Sequence, residues 1–223
     1  MSELRLLDLC CCAGGCSVGY SRAAEKLGIK LSIVGVDTYD QPNYPFEFIK
    51  ADAMEFLDKN GRSFTHIHAS PPCQAYSASI NQNRVKKDYQ SILPELRDLM
   101  YRSGLPGVIE NVVGSPLRKD IELSGNMFGL GVIRHRIFET VNWFELWPQR
   151  TRVKNGIASG RYIVVAGEPS REKGTGEHIQ GRTLEEKRRY AMGIHWMTKK
   201  ELRQAIPPDY TEYIGQRFLK QNT

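Results

Sequence analysis

Along the first half of the chain, short apolar runs alternate with segments in which apolar residues recur at helical spacing. The apolar runs predict strands at residues 4–11, 31–37, 46–53, 65–70 and 106–112, and later runs predict two more at 134–141 and 161–167. Helical spacing predicts helices at residues 18–28, 53–61, 89–104, 184–193, 198–206 and 207–221. Strands that alternate with helices predict an α/β fold, with a mostly parallel sheet and helices on both faces.

The length and composition fit a single globular domain with a small appendage. The chain has 223 residues, of which 40% are hydrophobic and 25% charged. Its longest apolar runs are too short to span a bilayer, and we expect no signal peptide because the amino terminus mixes both charges and leads directly into a strand. The five cysteines are odd in number and clustered, which indicates a reducing, cytoplasmic compartment.

The positive charge is concentrated in one quarter of the chain. Residues 134–190 contain twelve Lys or Arg against seven Glu, so they carry +5 of the net +6. Within them, residues 167–182 contain four glycines and a proline, which predicts a long polar loop. A basic balance confined to one stretch indicates a polyanionic partner, although a solvated positive surface gives the same pattern.

The first strand, turn and helix have the arrangement of a nucleotide-like ligand site. The strand contains Asp8, and Gly14, Gly15 and Gly19 follow in a turn and helix that allow close backbone approach. Asp37 ends the second strand, where a carboxylate accepts hydrogen bonds from ribose hydroxyls, and Asp52 follows the third. The spacing GGCSVG differs from the GxGxxG fingerprint, which favours S-adenosylmethionine over NAD.

A metal site is the alternative interpretation of the cysteine cluster. Cys12 and Cys16 have the spacing of a zinc-binding pair, but no second pair or histidine couple follows. His66 and His68 lie two residues apart in a predicted strand, where core or surface histidines are far more common than ligands. We therefore expect no metal.

The segment SPPCQAYS is the strongest candidate for chemistry. Two prolines make residues 70–72 a stiff arm that holds Cys73 directly after a predicted strand. Glu110 follows the next strand, so parallel pairing brings both side chains to the rim where open α/β sheets bind ligands. Arg134 and Arg136 would supply a positive field that lowers the pKa of the thiol. The alternative is a buried structural cysteine.

Six segments, in order, resemble the motif series of the DNA cytosine-5 methyltransferases: LLDLCCCAGGCSVGY, GVDTYDQ, SPPCQAYS, IENVVGSP, RHRIFE and AIPPDYTEYIGQRF. They span almost the whole chain. The resemblance implies a Rossmann-like methyltransferase sheet, S-adenosylmethionine as cofactor with S-adenosylhomocysteine as product, and double-stranded DNA as partner. It implies that Cys73 attacks C6 of a flipped cytosine, that Glu110 holds N3 and the amino group, and that Arg136, with Arg134 beside it, orients the base.

The same resemblance implies two sets of binding residues. The cofactor set is Asp8, Cys10, Ala13, Gly14, Gly15, Asp37, Thr38, Asp52, Ala53, Pro71 and Gln216. The DNA set combines a loop over residues 75–88 with the basic region: Gln74, Ser77, Arg84, Lys86, Lys87, Arg150, Arg152, Arg161, Arg171, Lys173 and Arg182.

The sequence departs from the family's pattern at three places. Val132 stands where glutamine usually opens the arginine motif, and Gln216 stands where asparagine is usual. Only about fifty residues separate Arg136 from the AMGIHWM segment, so the target-recognition region is small and basic. We expect a catalytic and cofactor-binding core at residues 1–145, a reduced recognition region at 146–185, and helices returning to the core at 186–223.

Two other functions remain open at this point. The same chemistry on RNA would leave much the same motifs, and Val132, Gln216 and the small recognition region also fit a nucleic-acid-binding homologue that has lost turnover. Compactness favours an enzyme of a bacterial or phage-infected cell. We expect a monomer or weak dimer, with a protein partner for target recognition left open.

Overall fold

The computed structural model describes residues 3–76, 91–147, 161–165 and 178–221. The strands are β1 (Leu4–Leu9), β2 (Leu31–Asp37), β3 (Glu47–Lys50), β4 (His66–Ala69), β5 (Gly107–Asn111), β6 (Ile121–Leu123) and β7 (Arg136–Val141). The helices are α1 (Gly15–Leu27), α2 (Ala53–Asn60), α3 (Leu93–Ser103), α4 (Leu184–Met192), α5 (Lys199–Gln204) and α6 (Pro208–Phe218).

The seven strands form one sheet in the order β3-β2-β1-β4-β5-β7-β6. Strands β1 to β5 are parallel to one another, and β7 runs antiparallel to both β5 and β6. The strand order reverses between β1 and β4, which is the switch point where open α/β sheets bind ligands beyond the carboxyl ends of the strands. The predicted α/β class, with a mostly parallel Rossmann-like sheet, is confirmed.

Helices cover both faces of the sheet because neighbouring residues of each strand point to opposite sides. Leu6 packs in the layer formed by α1 and α6, whereas Leu7 packs in the layer formed by α2 and α3. Val108 and Ile109 of β5 divide in the same way. The prediction of helices on both faces is therefore confirmed, and the two layers leave only the strand ends free for a site.

Helix α1 packs closely against α6 through two glycines. A Cβ on Gly19 would lie 2.0 Å from Thr211 Oγ1, and one on Gly215 would lie 2.7 Å from the Cβ of Ala23. Neither position has room for a side chain. Gly28 ends α1 with φ of 65°, the left-handed conformation that favours glycine. This packing ties the carboxyl-terminal segment to the first βα unit.

Two segments differ from the sequence prediction. Residues 161–165 of the predicted strand 161–167 are not a strand, although Ile163 N–H donates a backbone hydrogen bond of 2.9 Å to Gly131 O. Their apolar residues Ile163 and Val165 instead pack with Met192 and Met197. Strand β6 was not predicted, because its three residues are too few to show a period. The proposed boundaries at residues 145 and 185 stay predictions.

Among the described residues, no helix combines the length and apolar character needed to cross a membrane.

Candidate active site

A cavity of about 530 Å³ opens beyond the carboxyl ends of β1, β2, β4 and β5. The loops that follow these strands form one wall. Residues 132–134, Arg136 at the start of β7, the segment 163–165 and residues 203–206 at the end of α5 form the other. The cavity therefore lies at the switch point that the strand order defines.

The loop after β1 reaches the cavity through unusual backbone conformations. Cys10 and Cys12 have φ angles of 55° and 43°, and Gly14 has 81°. The left-handed region is unfavourable for a residue with a side chain, so the two cysteines are held there by their surroundings. The indole N–H of Trp196 donates to Ala13 O at 2.9 Å and fastens the loop from outside.

Asp37 anchors this loop to the end of β2. Its Oδ2 accepts a hydrogen bond of 3.1 Å from Cys12 N–H, and its Oδ1 accepts one of 3.1 Å from Tyr39 N–H. The carboxylate is 8% exposed and lines the cavity. Each oxygen keeps a second lone pair that can accept a hydrogen bond from a ligand hydroxyl.

The predicted cofactor residues divide into two groups. Those that line the cavity are Cys10, Ala13, Gly15, Asp37, Thr38, Asp52, Ala53 and Pro71. Asp8, Gly14 and Gln216 do not line it, so cofactor contact by these three stays a prediction.

Each of these three outlying residues has a structural setting of its own. Asp8 is fully buried, accepts a hydrogen bond from the Ser17 hydroxyl, and has its pKa raised to about 7 by burial. A Cβ on Gly14 would lie 2.8 Å from Pro45 Cδ. Gln216 lies on α6, whereas Ala205 and Ile206 line the cavity before that helix begins.

Asp52 has a second role besides lining the cavity. It is the N-cap of α2, where its Oδ1 accepts hydrogen bonds of 3.0 Å from the N–H groups of Met54 and Glu55. Its other oxygen is thereby the one that remains for a ligand amino group.

The Pro-Pro-Cys arm is fastened to the neighbouring strand. Asn111, at the end of β5, donates from Nδ2 to Pro71 O at 2.9 Å. Glu110 precedes Asn111 in the same strand, so this bond fixes the height of Cys73 relative to Glu110. Both Cys73 and Glu110 line the cavity.

The ion pair of Glu110 and Arg136 joins β5 to β7. Arg136 Nε lies 2.8 Å from Glu110 Oε1, and the two side chains are 14% and 7% exposed. The contact lacks the alignment of a hydrogen bond, so Oε1 is available to another donor. Burial raises the pKa of Glu110, and Arg136 and Arg134 oppose that effect.

The expected lowering of the Cys73 pKa is not found. Burial raises the pKa of this thiol and Glu110 raises it further, while Arg136 and Arg134 act in the opposite direction. The two arginines therefore have the predicted sign, but desolvation outweighs them. Cys73 in the free protein is a protonated thiol at neutral pH.

Arg134 connects the site to the carboxyl-terminal helices. Its Nη2 donates to Arg203 O at 2.8 Å, and the Tyr210 hydroxyl donates to Arg134 O at 2.9 Å. These contacts hold its backbone at φ of 40°. Burial, and after it the charge of Arg136, lower the pKa of Arg134 to about 9.

Most of the predicted nucleic-acid contacts lie outside the described residues. These are Ser77, Arg84, Lys86, Lys87, Arg150, Arg152, Arg171 and Lys173. Gln74 lines the large cavity beside Cys73. Arg161 and Tyr190 both line a second cavity of about 310 Å³, and Arg182 is exposed on the surface.

Several site residues were not identified from the sequence. Ser70 and Asn111 stand inside the quoted motifs, but their roles depend on which strands become neighbours. Tyr39, which is 76% exposed at the cavity mouth, and Arg203 carry no sequence signal of their own. Within the described ranges, no three His, Cys, Asp or Glu side chains form a group suited to a metal ion.

Solved structures show which fold this is. The methyltransferase EhMeth of Entamoeba histolytica superposes with a TM-score of 0.61 and 12% identity, covering 100% of both chains. A triple mutant of DNMT2 from Spodoptera frugiperda aligns over 68% of this chain and 54% of its own, with 19% identity and a TM-score of 0.45. That second score is too low to establish a shared fold.

The sequence matches no protein-family model and no curated protein. The likeness to the Entamoeba enzyme shows the fold alone: a seven-stranded Rossmann-like methyltransferase fold.

Proposed function

We propose that the protein transfers a methyl group from S-adenosylmethionine to C5 of cytosine in DNA, through a covalent bond between Cys73 and C6 of a flipped base. One observation carries the proposal. Cys73, Glu110 and Arg136 line the same cavity as the predicted cofactor residues around Asp37. A methyl donor and a methyl acceptor would therefore meet in one enclosed space.

The cavity residues fit the cofactor. The volume of about 530 Å³ lies within the range of roughly 300–1,000 Å³ that is usual for small-molecule sites. Asp37 offers lone pairs to ribose hydroxyls, and Asp52 offers one carboxylate oxygen to an adenine amino group. When bound, S-adenosylmethionine would supply a methyl group on a positively charged sulfur.

Cys73 would act as the nucleophile. Its sulfur must lose a proton before it bonds to C6, and its raised pKa means that the thiolate forms in the complex rather than in the free protein. Bond formation moves the electron pair of the C5–C6 double bond onto C5, which then takes the methyl group. Loss of the C5 proton restores the double bond and breaks the sulfur–C6 bond.

Glu110 and the arginines would hold the base. Glu110 Oε1 has no aligned hydrogen-bond donor among the described residues, so it can accept from the amino group of cytosine. A raised pKa favours a protonated carboxyl that donates to N3. The guanidinium of Arg136 beside it can donate to the base carbonyl.

The enclosed position of Cys73 accounts for the requirement that the base leaves the helix. C6 of a stacked cytosine is out of reach inside a duplex, and enzymes that act on a base extrude it at a cost of a few kcal/mol. Asn111 holds the arm from below, so the sulfur stays at a fixed height over the plane of an inserted ring.

Transfer of labelled methyl groups tests the proposal. We expect incorporation into a cytosine-containing DNA duplex, and none with Cys73→Ala or with a duplex that already carries 5-methylcytosine. A transfer RNA is assayed in parallel as the second substrate. Labelling of the RNA alone would mean that the substrate is RNA rather than DNA. No transfer to either, with cofactor binding intact, would indicate a nucleic-acid-binding homologue without turnover.

A further inference from the structure

Two backbone carbonyls in the segment before β7 converge on one buried hydroxyl. The hydroxyl of Tyr210, in α6, lies 3.1 Å from Ile133 O and 2.9 Å from Arg134 O. Tyr210 is fully buried, whereas Arg134 lines the candidate active-site cavity. One side chain of α6 therefore contacts the backbone at the edge of the site.

The hydrogen of this hydroxyl is directed to Arg134 O. Ile133 O already accepts a backbone hydrogen bond of 2.6 Å from Gly125 N–H, and Arg134 O is the nearer of the two acceptors. A phenol has only one hydrogen to donate. Burial raises the pKa of Tyr210, so the hydroxyl keeps this hydrogen at neutral pH.

The convergence of the two carbonyls depends on the backbone conformation of Arg134. In extended backbone, successive residues face opposite sides of the chain, so their carbonyls point away from each other. Arg134 instead has φ of 40°, in the left-handed region. A residue with a side chain is disfavoured there by a factor of about 5 to 30, which corresponds to about 1–2 kcal/mol. The bond from Tyr210 therefore opposes the intrinsic preference of the backbone at this residue.

The ring that carries the hydroxyl is itself held in place. The centroid of the Tyr210 ring lies 5.4 Å from that of Phe128 and 6.4 Å from that of Phe138 in β7. Helix α6 in turn packs on α1 so closely that neither Gly19 nor Gly215 has room for a side chain. The hydroxyl thus occupies a fixed point relative to the sheet, and the backbone before β7 adapts to it.

The backbone conformation of Arg134 determines where its guanidinium lies. Nη2 donates to Arg203 O at 2.8 Å, whereas Nε has no hydrogen-bond partner among the described residues. Glu110, the carboxylate that lines the same cavity, is paired with Arg136. A guanidinium has five N–H donors, so Arg134 keeps donors for an oxygen atom of a bound ligand.

We propose that Tyr210 is a positioning residue: its hydroxyl holds Arg134 in the left-handed conformation and thereby sets the place of the guanidinium in the cavity. The backbone part of this proposal stands on the fold alone, whereas the effect on methyl transfer rests on the proposed function. Helix α6 takes part in the site in this way although none of its residues lines the cavity.

A comparison of stabilities tests the backbone part. Glycine occupies the left-handed region without strain, so Arg134→Gly should have an unfolding equilibrium constant about fivefold smaller than that of Arg134→Ala. When Tyr210→Phe is added to each, the alanine variant can relax to an ordinary φ, and the advantage of glycine should vanish or reverse. Urea denaturation of the four proteins measures the difference. The same glycine advantage with and without the hydroxyl, or no advantage in either case, would overturn the proposal.

Two controls separate this effect from a general loss of stability. Tyr101→Phe removes a hydroxyl that donates to buried Glu139 at 2.8 Å, away from the cavity, and should preserve the glycine advantage at residue 134. Cys12 is also left-handed, with φ of 43°, and glycine should be favoured over alanine there equally with and without Tyr210→Phe. If Tyr210→Phe abolished the preference at Cys12 as well, the hydroxyl would not act on residue 134 in particular, and the proposal would fail.

The second test measures the coupling of Tyr210 to the site. Tyr210→Phe should lower kcat by about tenfold, because a displaced group at the reacting centre is costly, and should leave the Kd of S-adenosylmethionine unchanged. In the Arg134→Ala background the same change should cost less than about twofold, since the side chain that it positions is gone. An equal loss in both backgrounds would contradict the role of Tyr210. Because the unfolding comparison needs no methyl transfer, an inactive protein with the expected glycine preference would reject the proposed function and keep the backbone part of this inference.

Discussion

The side-chain amide of Asn111 donates a hydrogen bond of 2.9 Å to the carbonyl of Pro71. Asn111 is the last residue of β5, and Pro71 lies two residues beyond the end of the neighbouring strand β4. Asn111 follows Glu110, and Pro71 precedes the Pro72–Cys73 pair. One hydrogen bond thereby sets the spacing of nucleophile and carboxyl, which the rigid prolines then preserve.

Asn111→Ala should reduce turnover more than it reduces stability. The lost bond leaves Pro71 O buried without its partner, at a cost of about 1–3 kcal/mol, and frees the arm that holds Cys73. We expect a kcat lower by about tenfold or more, since misplaced reacting groups are costly. Asn60→Ala, which removes one side-chain amide bond of 3.1 Å to the carbonyl of Phe56 away from the cavity, is the control with kcat preserved. Equal kcat in the two variants would contradict the role of Asn111.

The backbone conformation at Cys12 predicts that a glycine variant is more stable than an alanine variant there, the reverse of the usual order. Because φ is 43° there, Cys12→Gly should be more stable than Cys12→Ala by about 1 kcal/mol. Cys11 is buried with ordinary φ, so Cys11→Ala should be more stable than Cys11→Gly by about 0.5–1 kcal/mol. Urea denaturation measures both pairs. If the alanine variant were the more stable one at both positions, the loop would not hold Cys12 in the left-handed region.

Asp8 makes stability depend on pH. Burial raises its pKa to about 7, so between about pH 4 and about pH 7 the folded state binds more protons than the unfolded state. The stabilisation by neutral Asp8 is complete below about pH 4 and is lost as the pH rises to about 7. Asparagine cannot ionise, so the Asp8→Asn variant does not lose stability in this way as the pH rises.

Denaturation of the wild type and of Asp8→Asn across that pH range tests whether stability falls as the pH rises. The wild type should lose stability relative to the variant by up to about 1.4 kcal/mol for each pH unit, with a constant difference above about pH 7. A constant difference across the whole range would show that Asp8 is ionised throughout in the folded protein.

The Glu110–Arg136 pair predicts a second pH effect. Arg136→Met leaves a buried carboxylate without its partner, at a cost of about 3–5 kcal/mol above the pKa of Glu110. At low pH Glu110 is protonated and the cost should shrink. The double variant Glu110→Gln with Arg136→Met should lose that pH dependence. If it keeps the dependence, another group is responsible.

Much of the fold follows from sequence pattern, because its strands are continuous apolar runs and its helices have clear ends. The run RYIVVAG shows the limit of that reasoning. Ile163 and Val165 are buried in a cluster with Met192 and Met197, and burial by packing gives the same apolar pattern as burial in a sheet. Periodicity alone does not separate the two cases.

The candidate site was predictable where one residue signals its own chemistry. Cys73 after two prolines and Glu110 at the end of an apolar run are visible as local patterns, although Glu110 lies within β5 rather than after it. The hydrogen bonds that join Tyr20 to His68 and His68 to Ser70 are not visible in this way, since Tyr20 and His68 are 48 positions apart and meet only when α1 packs over β4. The pKa of Cys73 was predicted in the wrong direction because its burial, the dominant cause, depends on the folded surroundings.

Covalent trapping tests the central claim most directly. The wild-type protein is incubated with S-adenosylmethionine and a DNA duplex that contains 5-fluorocytosine, in which fluorine at C5 blocks the elimination that releases the sulfur. We predict a protein–DNA adduct that peptide mass spectrometry maps to Cys73 and that is absent from Cys73→Ala. No adduct with a protein that binds both ligands, or an adduct at one of the cysteines between 10 and 16, would contradict the account.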